Sequence, residues 1–419
     1  MRQGCDLAPQ LAEFELRCAG EDYDAAASAL LKVSFNYLRL WGHFRLIAEL
    51  HERLLQGKIG NPRSARNSIG NLGSAYRMMG RYQRAMACYE EALRFAREQK
   101  NRWGEGVWLG NLGLVYADLG QTTRAIEYHE QALAIKREIG NHRQSEAITL
   151  GNLASRYSDL GQIARAIEYY EQALAIFREV GDRPNEALHL GNLGERYIDL
   201  GQTAEALQYL QQSLTLSREI GYRFIEAESQ FRIGYTCLDC GERGEAVRQL
   251  ERAIEIADDI GNPQFQNGAR CGLALVRLYQ DELAAAREMA EAACKYAYPL
   301  TNHSASVVLG VIALRQGDTI AARVVFTTAL NQANELLAQT PQLYGALDSK
   351  GLALCGLALC EGAHHVPAAK EAFRAARAII SAVGIVGRVL RLFDALAQAD
   401  TTGILTEVRA EATGEKTNL

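Results

Sequence analysis

Residues Gly110–Gly140 read GNLGLVYADLGQTTRAIEYHEQALAIKREIG, and Gly151–Gly181 read GNLASRYSDLGQIARAIEYYEQALAIFREVG; 22 of 31 positions are identical. The same pattern begins at Gly70, at Gly191 and, more loosely, at Phe231, at intervals of 40, 41, 40 and 40 residues. Self-similarity at such a period marks an array of small units, none of which can bury its apolar face alone.

Within each copy, two stretches with helical apolar spacing flank a glycine: Gly80, Gly120, Gly161, Gly201 and Gly241, with Gly42 and Gly317 further out. Glycine there predicts a left-handed residue closing the first helix. The second stretch carries Ala at a fixed place and Ala or Ser seven residues on, almost two turns and so on one face. These pairs are Ala85/Ala92, Ala125/Ala132, Ala166/Ala173, Ala206/Ser213, Ala246/Ala253, Ala286/Ala293, Ala322/Ala329 and Ala369/Ala376. Small side chains on that face let neighbouring helices approach closely. The series runs well past the obvious copies and extends the architecture into the diverged C-terminal third.

The fold expected is therefore all-α, a right-handed superhelical solenoid of about nine antiparallel helix pairs in one continuous array. Residues 1–61 supply lead-in helices and a first diverged pair, 62–260 five regular units, and 261–398 diverged pairs with a closing helix. Residues 399–419 lose the apolar period and are expected to fray.

Composition agrees. The 419 residues are 48% hydrophobic and 23% charged, and 45 basic against 50 acidic residues give a net charge of -5. No basic stripe points to nucleic acid and no Lys/Arg block to an anionic membrane. Nine cysteines without a framework spacing read as free thiols, which implies a reducing, cytoplasmic setting. No apolar run is long enough to span a bilayer. Helical pattern begins almost at Met1, as expected of the C-terminal piece of something longer.

The helix pair, with Asn111, Leu112, Gly113 and Tyr116 in its first helix and Ala-Ile-Glu-Tyr in its second, resembles the tetratricopeptide repeat in its ~40-residue form. The resemblance covers 62–260 strongly and 264–382 weakly. This form is familiar from kinesin light chains, spindle-orientation adaptors of the LGN/Pins group, and sensor regions of bacterial signal-transduction (STAND) ATPases. Residues Ala19–Leu55 look most like the stretch by which NB-ARC or NACHT-type ATPases of that last group enter their repeats.

In such an array first helices line a concave face. The helical period places Asn71 and Arg77 there, then Asn111 and Asp118, then Asn152, Arg156 and Asp159. Asn192, Arg196 and Asp199 follow, and then Arg232 and Tyr235 beside Asp239. An Asn amide both donates and accepts, which suits the unpaired backbone of an extended peptide, and the resemblance implies that use. The Asn series can equally cap or bridge neighbouring repeats. The acidic series Asp118, Asp159, Asp199 and Asp239 opposes the helix dipole and reads either as a solvated face or as a mark of basic neighbours. Arg102/Glu105, Arg143/Glu146, Arg183/Glu186 and Arg223/Glu226 read as structural pairs.

No phosphate loop, nucleophile elbow or zinc-protease motif occurs, Cys237-x-x-Cys240 lacks a second pair, and His364-His365 falls in a turn. The expectation is a chain with no enzyme activity, catalytic residue, metal or cofactor, whose partner is a protein or peptide and not nucleic acid or membrane. Three roles fit: the sensor region of a signal-transduction ATPase whose N-terminal ATPase or effector domains lie outside this chain, a freestanding adaptor, or an accessory module of a separate effector enzyme.

Overall fold

The computed structural model describes residues 7–34, 43–296 and 298–414, and among them it contains helices and no strand. Gly42, expected to turn the first pair, lies outside the described residues. The chain forms two compact units, Met1–Arg156 and Tyr157–Leu419. Their boundary falls inside a helix through which the sequence repeat runs unbroken, so nothing in the pattern announces it.

The first unit comprises α1 (Ala8–Ala19), α2 (Tyr23–Val33), α3 (Phe44–Gln56), α4 (Pro62–Met78), α5 (Tyr82–Glu98), α6 (Arg102–Asp118), α7 (Thr122–Ile139) and most of α8 (Arg143–Asp159). The second continues with α9 (Ile163–Val180), α10 (Arg183–Asp199), α11 (Thr203–Glu219), α12 (Arg223–Asp239), α13 (Arg243–Ile260), α14 (Pro263–Tyr279) and α15 (Leu283–Cys294). It ends with α16 (Pro299–Arg315), α17 (Thr319–Gln339), α18 (Tyr344–Glu361), α19 (Val366–Ile379), α20 (Val383–Ala397) and α21 (Thr406–Thr413).

Four of the first helices begin at capping side chains. Asn61, Asn101, Asp182 and Asn262 each accept from a free amide of the first turn. First helices end at the expected glycines, with φ of 71° at Gly80 and Gly120 and 79° at Gly241. In the α14–α15 turn Asp281 takes the left-handed place at φ 63°.

All sixteen members of the Ala/Ser series are fully buried, at 0% exposure. A second rule was not read from the sequence. In six of the eight pairs the residue four positions after the first Ala presses into a glycine of the preceding first helix. Tyr89 meets Gly73, His129 meets Gly113, Leu210 meets Gly194, Leu250 meets Gly234, Phe326 meets Gly310 and Phe373 meets Gly351. A Cβ on any of these glycines would lie 2.6–2.8 Å from that side chain. The glycine of Asn-Leu-Gly is thus a socket, and filling one with Leu or Phe removes enough apolar surface from water for about 1.5–3 kcal/mol.

Acidic residues of the first turns clamp successive pairs. Glu105 binds Arg97 at 2.9 Å and Arg102 at 2.6 Å; Glu146 binds Arg137 and Arg143, and Glu226 binds Arg218 and Arg223, in the same way. The expected Arg183/Glu186 pair is replaced: Arg178 takes Glu186 at 2.9 Å, and Arg183 reaches Glu219 instead. An arginine at the end of the preceding helix is the constant partner, because helix ends meet there, while the i, i+3 arginine also reaches an acid of the following second helix, as Arg102 does Glu138 and Arg183 does Glu219.

The stretch expected to fray is ordered as far as residue 414. Asp400 gathers the amides of Thr402, Gly403 and Leu405 into a turn, and α21 then packs on α19. Lys370–Glu407 at 2.7 Å and Arg374–Glu411 at 2.6 Å flank the buried Val408 and Ala412. Two buried residues in an eight-residue helix are too short a pattern to register as a period.

Candidate functional site

In the first unit Asn71, Asn111 and Asn152 occupy one repeat position on α4, α6 and α8. All three are half-buried, and among the described residues their side chains make no hydrogen bond. The capping or bridging role open at the sequence level is not taken up. Beside them Arg77 of α4 reaches Asp118 of α6 at 2.9 Å, so this acid has the basic neighbour that its place on the helix required. Arg156 and Asp159 both have interaction partners. Trp108 is buried, stacks near Tyr89 with centroids 6.1 Å apart, and lies over Gly70; Trp103 stays exposed against His142.

In the second unit the first helices α10, α12, α14, α16 and α18 and the closing helix α20 enclose a cavity of about 380 Å³. Phe231, Tyr235, Tyr279, Val308, Leu352 and Val389 supply apolar wall. Asn192, the fourth member of the Asn series, is half-buried, again with no hydrogen bond among the described residues.

The remaining expected residues are not free groove groups. Arg196 contacts Glu195 at 2.7 Å and Asp199 at 3.2 Å and bonds the Ser158 hydroxyl. Arg232 donates to the Gly191 carbonyl at 2.7 Å and pairs with Glu228 at 2.9 Å and Glu195 at 3.1 Å. It stands where the Asn series breaks because its guanidinium reaches back to the neighbouring helix. Tyr235 is half-buried and donates to the Gly268 carbonyl at 3.2 Å.

Asp199 is 2% exposed, which corrects the reading of a solvated acidic face. Besides Arg196, it has a partner from 189 residues away: Arg388 of α20, at 2.9 Å. Arg391, one turn further, pairs with Asp239, the next member of the series. Burial would raise the Glu195 carboxyl, but Arg232, Arg196 and Arg388 outweigh it and hold it at about 2. For Asp199 and Asp239 burial prevails over their arginines and raises both. Glu195, Arg232 and Arg388 line the cavity between its apolar walls, and through Arg388 and Arg196 this charged lining continues to the buried Asp199 outside it.

Sequence reading missed α20 as a site element. Its one signal is a pair of arginines three residues apart in VGIVGRVLRLFDALA, where Asp394 is the only other charged residue.

The eight cysteines among the described residues are free, and Cys237 is buried while Cys240 is exposed. Glu361, His364 and His365 bring their ligand-type atoms within 4.8 Å of one another, with His365 bonded to Glu361 at 2.9 Å on the surface. Among the described residues no helix is long and apolar enough to cross a membrane.

Paired helices, glycine sockets and first-helix faces define a solenoid scaffold of the tetratricopeptide class. The tetratricopeptide repeat model matches in overlapping windows from residue 63 to 259, a second tetratricopeptide model matches 271–342, and the chain belongs to this family. No curated protein matches it significantly.

Among solved structures it is similar to a Pyrococcus horikoshii signal transduction ATPase with a tetratricopeptide repeat sensor (TM-score 0.60, 15% identity). That match covers 79% of this chain and 50% of that one, so the chain spans half of the ATPase. It is also similar to the Rap protein complexed with competence and sporulation factor (TM-score 0.54, 15% identity, 80% and 100% covered). A third is the quorum sensor NprR from B. thuringiensis in its apo form (0.53, 17%, 78% and 98%). At these identities the likeness is one of fold.

Proposed function

We propose that the chain is a non-catalytic, peptide- and protein-binding scaffold that serves as the ligand-sensing region of a bacterial signal-transduction ATPase. One observation carries it: Asn71, Asn111 and Asn152 stand in register on successive first helices, half-buried and without a hydrogen bond among the described residues. None of the three is among the buried polar side chains left without a partner, so their amides stay open to water and available to a ligand that supplies partners in its place. An extended peptide backbone, with donors and acceptors alternating along its edge, is such a ligand.

The test is selection of displayed random 12-residue peptides on the full chain, then affinity measurement against an Asn71→Ala/Asn111→Ala/Asn152→Ala variant. At ~0.5–1.5 kcal/mol per hydrogen bond, three bonds amount to about a hundredfold in affinity. Equal affinity in a folded triple variant rejects the reading. The sensor role is tested separately, by the intact mass of the endogenous protein, which should exceed 46.1 kDa by an ATPase domain.

A second reading, a freestanding adaptor, draws on the near-complete coverage of the Rap protein and NprR, both of which the chain spans at 98% or more. An endogenous protein of this same mass favours it.

A further inference from the structure

We propose that the groove of the second unit is a receptor for a basic amphipathic helix, and that the N-terminal half of α20 is its resident, displaceable occupant. The proposal concerns a surface separate from the Asn71–Asn111–Asn152 face and stands or falls without it.

The acids are the fixed half of the contact. Asp199 and Asp239 hold the same position in consecutive repeats, forty residues apart, and their side chains are 3% and 10% exposed. The bases sit at the rim: Arg388 and Arg391 keep 34% and 37% exposure. One helical turn of α20 thus presents one arginine to each of two neighbouring first helices. Apolar residues at the matching face, Ile385, Val389 and Leu392, point into the cavity and roof it without filling it.

The two halves of α20 are held differently. Phe393 and Leu396 are buried in the core of the last repeats, with Phe393 edge-on to Phe373 at 6.3 Å. The first half rests on a smaller, separate cluster in which Ile385 packs with the buried Ile163 and Ile380, and it carries an exposed Val383 and glycines at 384 and 387 that weaken the helix. Its C-terminal end is held by the larger core and its N-terminal end by the smaller cluster, over a space of about 380 Å³. Gly384 is the seat: a Cβ there would overlap the Ile198 carbonyl and come within 3.0 Å of the Gly201 amide.

A competing partner is a helix with Arg or Lys at i and i+3 and branched apolar residues at i−3, i+1 and i+4, the pattern α20 itself displays around Arg388. It would meet an acid pair already desolvated and positioned, so binding spends little on ordering the receptor.

The experiment uses the full chain, an Arg388→Glu/Arg391→Glu variant, and a Gly384→Ala variant that prises up the same half without touching charge. Hydrogen exchange reads release, and anisotropy reads binding of a labelled synthetic peptide spanning Ile380–Leu392. Both variants should exchange Val383–Leu392 at least about tenfold faster than the parent while α14–α18 stay protected. Both should bind the peptide at least about tenfold more tightly than the parent, and neither should bind the peptide carrying the same two Arg→Glu changes. The proposal is overturned if α20 stays protected in both variants, if α14–α18 lose protection with it, or if the released variants bind the peptide no better than the parent.

Discussion

His129 is the most informative residue to replace. It is fully buried, at 0% exposure, neither ring nitrogen has a hydrogen-bond partner, and its ring fills the Gly113 socket, where an added Cβ would lie 2.8–2.9 Å from it. Burial, reinforced by the Arg156 and Lys136 charges, pushes its pKa from 6.5 to about 3. For a base whose folded pKa is depressed, stability is complete above the unfolded pKa, falls as pH drops below 6.5, and levels off only near 3. At pH 4.5 the unfolded chain binds a proton there and the folded chain does not, so the two-unit gap from 6.5 costs the native state about 2.7 kcal/mol.

The replacement is His129→Leu, since Leu210 and Leu250 fill the equivalent sockets with 0% exposure. At pH 7.5 the gain should be about 1–2 kcal/mol, because a buried donor and acceptor without partners disappear. At pH 4.5 the advantage should grow by the further ~2.7 kcal/mol. Urea unfolding followed by far-ultraviolet circular dichroism at both pH values measures it. If parent and variant lose the same stability between pH 7.5 and 4.5, His129 is not the neutral, unpaired residue described here.

Glu226→Gln removes the charge that Arg218 and Arg223 share at a 6%-exposed site, and should lower the urea midpoint by an amount equivalent to about 1–3 kcal/mol. Gly70→Ala drives a methyl into the Trp108 ring; a cost of about 1–3 kcal/mol and a shift in tryptophan emission should appear together, and an unchanged spectrum contradicts the packing. Arg232→Ala leaves Glu195 and Glu228 without their shared partner, and thermal unfolding should show a loss of about 3–5 kcal/mol. At Asn267, buried at 1%, the amide donates to the Ala293 and Tyr296 carbonyls and accepts from Thr301, so Asn267→Leu should cost about 2–4 kcal/mol in the same assay.

What the sequence discloses is what recurs. The Ala85/Ala92 series predicted buried positions as far as Ala369/Ala376, because close helix approach leaves the same small residue in every unit. The turn glycines behave likewise, and Asp281 shows that the backbone state outlives the residue type. The Asn series was legible as a position, yet its lack of partners is visible only once neighbouring helices are in place.

Features that occur once escaped. Arg388 and Arg391 have no repeat to flag them, and their acids stand 189 and 152 residues earlier. Arg178 was hidden differently: it recurs as Arg97, Arg137 and Arg218, but the nearer i, i+3 arginine offered an easier pairing for Glu186.

The Arg–Glu–Arg clamp has a genetic consequence. The junction that Arg97, Glu105 and Arg102 make is chemically the same as the one made by Arg137, Glu146 and Arg143. A crossover between the two copies that excises Gly110–Leu150 therefore joins ends whose charges already match, and the tandem copies quoted at the outset supply the homology for it. A change of array length by whole units thus preserves the junction chemistry, and the extent of the first-helix face can be set as a count of units rather than residue by residue.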